Sequence, residues 1–122
     1  MNNEAIREYE YNATELGKSL TKLKYEVEGY VYNDQYEKVN ILYLLADVKA
    51  KYTIYKGLFK RHGSQLDEMV DKKVIKSIED YIIQDFEIHI LQNGEDKVFV
   101  KNTILQSIQE SISGIPNQVI FN

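Results

Sequence analysis

The chain has 122 residues, 43% hydrophobic and 28% charged, with one proline, six glycines and a net charge of −4. That length and balance fit a single domain spanning 1–122 with a real core, and disorder is not the default for such a composition. The absence of cysteine excludes disulfides, thiolate nucleophiles and cysteine-ligated metals and fits a reducing compartment. No apolar run approaches the length of a membrane span.

The amino terminus, Met1-Asn2-Asn3-Glu4, is polar and lacks the apolar core of a signal peptide. A cytoplasmic location is therefore expected, or a virion if the chain is phage-encoded. Its richness in Ile, Lys, Asn and Tyr, all with A/T-rich codons, associates it with a low-GC bacterium, its phage or a mobile element.

Ile6, Tyr9, Ala13, Leu16, Leu20, Leu23, Val27 and Tyr30 recur at alternating intervals of three and four, the seam of a long amphipathic helix from about Glu4 to Val31. The flanking positions Glu10, Gly17, Lys24 and Val31, set against Asn12, Ser19 and Glu26, are not consistently charged. An intramolecular helical pair is thus expected rather than a free-standing zipper. Asn33-Asp34 interrupts the pattern, and Asp34 with Glu37 resembles a capping box.

A second helix follows to about Arg61, with a seam of Ile41, Leu45, Val48, Tyr52, Tyr55 and Phe59 that Val39, Leu42 and Ala46 widen. Arg61-His62-Gly63 makes a sound helix end. The short link makes the two helices antiparallel neighbours, a helical hairpin with coiled-coil-like seams.

Ser64 is expected to cap a third helix burying Leu66, Met69, Val70, Val74, Ile75, Ile78, Tyr81 and Ile82. The period then shifts to two. Phe86, Ile88 and Ile90 alternate with Asp85, Glu87 and His89, Asn93-Gly94 suits a tight turn, and Val98-Phe99-Val100 would return. Thr103 with Gln106 resembles a capping box for a short helix through Ile104, Leu105, Ile108 and Ile112, stopped by Gly114 and Pro116. Val119-Ile120-Phe121 would add a last strand. The expected fold is α+β: a long-helix hairpin plus third helix over about 4–84, then a small β-hairpin and short C-terminal helix over about 85–122.

Asp85, Glu87 and His89 on one strand face could hold a divalent metal or run acid–base chemistry. The alternation alone already demands polar residues there, so a solvated face is the plainer reading. Asp85 with Glu95 and Lys97 has the residue types of a metal-dependent nuclease, but Glu95 falls at a hairpin tip. No metal, cofactor or catalytic residue is assigned, and neither His62 nor His89 has the partner pattern of a nucleophile's base.

Charge is uneven. Residues 49–76 carry eight bases and three acids, between acidic flanks. Lys49, Lys56 and Lys60 share a helical face that could contact phosphates, or an acidic protein. The ten tyrosines are unusual beside no tryptophan. Tyr25, Tyr30, Tyr32 and Tyr36 crowd the link between the long helices, with Tyr43 beyond. Tyrosine supplies area and a polar tip, which suits interfaces. Tyr30 is in register with the seam and belongs to the core, Tyr32 points away, and Tyr36 and Tyr43 suit either role.

The expected function is a non-enzymatic protein-interaction or assembly subunit, such as a virion component or an inhibitor of a host protein. It would bind another protein or itself through Tyr25, Tyr32, Tyr36 and the Lys49, Lys56, Lys60 face. Nucleic-acid association through the lysine face is the alternative, and no membrane is involved.

Overall fold

A computed structural model of the chain describes residues 3–33, 37–63, 66, 72–86 and 97–115. Four helices account for nearly all of them. Helix α1 runs Asn3–Glu28 and continues as a wider π turn, Gly29–Asn33. Helix α2 is Lys38–His62. Helix α3 starts as Lys72–Ser77 and widens into the π-helical Ile78–Asp85, closing on Phe86. Helix α4 passes from Lys97–Phe99 through the π-helical Val100–Leu105 to Gln106–Gly114.

The α+β expectation is overturned. No strand occurs among the described residues, and Phe86 and Val98-Phe99-Val100, assigned above to a β-hairpin, are helical. Ile88, Ile90, the Asn93-Gly94 turn and Val119-Ile120-Phe121 lie outside the described residues. Thr103 caps nothing, because α4 is already under way at Lys97.

Both errors share a physical cause. Ile78, Ile82 and Phe86 are buried at intervals of four, as are Val100, Ile104 and Ile108. The wider π turn, closed by i→i+5 hydrogen bonds, keeps every fourth residue on one face. It also rotates the third residue outward, which leaves Tyr81 exposed rather than in the core.

The two long helices form the expected antiparallel hairpin. Glu8 meets Arg61 and His62, Tyr9 meets Tyr55, and Ser19 meets Asp47. Seven of the eight residues of the α1 seam, Tyr9 through Tyr30, are buried; Ala5 takes the place given to Ile6. On α2, Ile41, Leu45, Val48, Tyr52 and Tyr55 are buried, with Leu58 ahead of the partly buried Phe59. Val39 and Ala46 do not widen the core face but are exposed.

The N-cap of α2 is Glu37, in an extended conformation with no side-chain bond to the helix. Asp34 and Ser64 lie outside the described residues. Gly63 ends α2 with φ 52°, a left-handed value that glycine takes without a Cβ clash, and its N–H reaches the Phe59 carbonyl.

The second pair closes the bundle. Helix α3 lies antiparallel to α4, with the Ser77 and Ser107 hydroxyls 2.5 Å apart and Gly114 against Val74. Helix α4 in turn packs on α1, and the π segment of α3 packs on α2. Each helix therefore has two neighbours, and one apolar core from Ala5 to Ile115 runs between them.

Candidate interaction surface

Inside the bundle, polar side chains hold the helices in register. Tyr9, Tyr52, Tyr55 and Phe59 form an aromatic cluster with ring centroids 5.4–6.4 Å apart. The Tyr9 and Tyr55 hydroxyls sit 3.3 Å apart, and Tyr52 donates to a Glu79 carboxylate oxygen at 2.6 Å. Burial raises the pKa of all three phenols, and Glu79 raises that of Tyr52 further. They therefore stay protonated at neutral pH, and their hydroxyls hold the helices in register.

Ion pairs fasten the outside. Glu8 takes Arg61 at 2.5 Å and has the His62 imidazole Nε2 at 3.5 Å. Glu79 is paired with Lys56 while also accepting from Tyr52, and these contacts hold its carboxyl below the usual range.

Between α3 and α4 an open groove of about 480 Å³ is lined by Lys73, Ser77, Gln106, Gln109, Glu110 and Ser113. Ser107 and Ser111 are buried there, and Ser111 donates to the Ser107 carbonyl. These small residues let the two helices approach closely.

No group of three metal-ligating side chains occurs among the described residues. Asp85 is helical, so the strand face that would have aligned it with Glu87 and His89 is not formed at that end; Glu87, His89 and Glu95 lie outside the described residues. Lys97 opens a helix, which removes the second strand that a nuclease layout requires. No helix is long and apolar enough to cross a membrane among the described residues.

The residues expected to bind a partner fall into two groups. Tyr25 and Tyr32 stand on the outer face of α1, 66% and 58% exposed, whereas Tyr30 is buried; Tyr36 lies outside the described residues. Tyr43, offered either role, points outward at 73% exposure. A Lys101 ammonium lies 5.6 Å above the Tyr32 ring and ties the end of α1 to the start of α4.

Lys49, Lys56 and Lys60 share one edge of α2. Lys56 is engaged by Glu79 and lies 6.0 Å from the Tyr52 ring centroid, so the middle of that edge is already paired with an acid.

The sequence reading missed Tyr11, also exposed. Tyr11, Lys18, Tyr25 and Tyr32 recur every seven residues, diametrically opposite the buried seam. That signal was available, because a heptad defines its outermost position as firmly as its core. Compared with protein-family models, curated proteins and solved structures, the chain matches none.

Proposed function

We propose that this chain is a non-enzymatic protein-binding subunit that docks its partner through the outward faces of its first two helices. The observation that carries this reading is the row of Tyr11, Tyr25 and Tyr32 along α1, each more than half exposed on the helix face farthest from the core. A helix facing only water is served by lysine and glutamate at such positions. Tyrosine instead offers a large, rigid, amphipathic contact at low entropic cost, the property that enriches it at interface hot spots. Tyr43 places a fourth such ring on the neighbouring helix.

The partner in this reading is another protein or a further copy of the chain, met in the cytoplasm or a virion. Tyr30 and Tyr32 supply the test, since they are two residues apart on opposite sides of α1. Tyr30→Ala should cost about 3–5 kcal/mol of stability, as large aromatic truncations in a core do. Tyr32→Ala should leave the thermal melt almost unchanged while lowering self-association or partner affinity, measured by sedimentation and by titration calorimetry. If Tyr32→Ala unfolds the domain, or leaves every association intact, the reading fails.

A further inference from the structure

Helix α2 is apolar on two faces. One is the buried seam. The other faces solvent and consists of Val39, Tyr43, Ala46, Ala50 and Ile54, all exposed, with Val39 and Tyr43 at 73%. Their intervals of four, three, four and four keep them on a single stripe. Gly57 extends it, seven residues beyond Ala50.

A glycine inside a helix costs about 1 kcal/mol relative to alanine. A Cβ added at Gly57 would meet nothing within 4 Å among the described residues, so packing among them supplies no reason for it. Small residues between larger apolar anchors are what a second helix needs in order to lie close against the first.

The edges of the stripe are charged with one sign. Helix α2 carries Lys38, Lys49, Lys51, Lys56, Lys60 and Arg61 against a single acid, Asp47. Asp47 is turned toward α1, where it accepts a hydrogen bond from Ser19 at 2.6 Å. Lys56 and Arg61 are paired with Glu79 and Glu8, and the basic excess that flanks the apolar strip is carried by Lys38, Lys49, Lys51 and Lys60, on a chain whose overall charge is negative.

We infer that the outward face of α2 docks an amphipathic helix of another protein, apolar along its contact stripe and acidic along its edges. The inference rests on the protein-binding reading above and adds the place and the chemistry of the partner. Charge selects this occupant. A second α2 would bring a like-charged surface against the first, whereas an acidic-edged helix meets Lys38, Lys49 and Lys60 along one edge and Lys51 along the other, and gains orientation from them. An anionic membrane is a poorer fit, because Ala46, Ala50 and Gly57 leave the middle of the stripe without the large side chains that enter an acyl layer.

The test uses the full chain and two synthetic helical peptides with the same leucine seam, one flanked by glutamates and one by lysines. Calorimetry reads affinity and backbone amide shifts read location. The glutamate peptide should bind with shifts centred on 39–57, and the lysine peptide should not. Tyr43→Ala and Ile54→Lys, each with an unchanged melt, should weaken binding at least tenfold.

Equal binding of both peptides, no binding of either, or shifts centred on another helix would overturn the inference. So would anionic phospholipid vesicles binding through Tyr43 and Ile54 when the glutamate peptide does not, or a dimer that Ile54→Lys disperses. If the peptide assay fails while Tyr25→Ala and Tyr32→Ala still abolish partner binding, only this inference falls; if those variants are also silent, the protein-binding reading falls with it.

Discussion

Replacing Gly114 with alanine puts the close approach of α3 and α4 to a quantitative test. The added Cβ would stand 2.3 Å from the Val74 Cγ2 methyl, far inside van der Waals contact. Valine in a helix holds one dominant χ1 rotamer, so this methyl cannot swing aside as the end of a lysine would. The helices must separate, and the Ser77–Ser107 hydrogen bond next along the interface must lengthen.

Overpacking of this kind costs about 1–3 kcal/mol. Alanine recovers up to about 1 kcal/mol of helix propensity, less at the last residue of a helix. The expected net loss is about 1–2 kcal/mol, a fall of roughly 4–8 °C in melting temperature for a domain of this size. Thermal unfolding followed by circular dichroism measures it, and a cycle with Val74→Ala isolates the clash. The double variant should lose less than the sum of the singles. A Gly114→Ala protein as stable as the native chain, or additive losses in the cycle, would refute the packing described between α3 and α4.

Gly57→Ala should do the opposite, raising the melting temperature by about 4 °C, because its Cβ enters open space and the helix gains about 1 kcal/mol; a destabilised variant would contradict the open outer face of α2. Tyr9, Tyr52 and Tyr55 keep their protons in the native state above the ordinary phenol pKa of about 10, whereas the unfolded chain releases them there. Stability should therefore fall as pH rises from about 10, part of the phenolate absorbance should appear only with unfolding, and Tyr9→Phe or Tyr55→Phe should shrink that part. Glu79 has the opposite sign: its depressed carboxyl contributes stability that is full above the ordinary carboxylate pKa and is lost as pH falls through the native value. With side chains 33% and 49% exposed, the Glu79–Lys56 pair is screened, so Glu79→Gln should remove no more than about 1 kcal/mol at neutral pH and flatten the acid limb of the melting curve; an unaltered acid limb would show that the pair contributes nothing.

The first two helices were legible because each seam obeys one period over several turns, from Ile6 to Tyr30 and from Ile41 to Phe59, and the position of Tyr30 relative to Tyr32 followed from that register alone. The second half misled because short apolar runs satisfy two periods at once. Phe86, Ile88 and Ile90 alternate, but Ile78, Ile82 and Phe86 also recur every fourth residue, and a π segment makes the second pattern the real one. Val100, Ile104 and Ile108 posed the same ambiguity.

The outward tyrosines were partly legible. Tyr25 and Tyr32 fall off the seam by counting, but the exposure of Val39 and Tyr43 was not legible, since both lie two residues from Ile41 in a stretch that reads equally well as a widened core face. Only the packing of α2 between α1 and α3 separates its two apolar stripes. The Glu79–Lys56 and Tyr9–Tyr55 contacts join residues far apart in the chain and needed the tertiary register.

We propose that the outward rings of α1 and α2 bind a protein. The most direct test of this is quantitative affinity capture from the native host with two baits: the native chain, and a Tyr25→Ala/Tyr32→Ala/Tyr43→Ala variant first shown to melt at the same temperature. At least one protein should be retained in near-stoichiometric amount by the native chain and lost from the variant. Identical retention by both baits, or retention of nothing by the native chain in either its own or a partner's copies, would contradict the account.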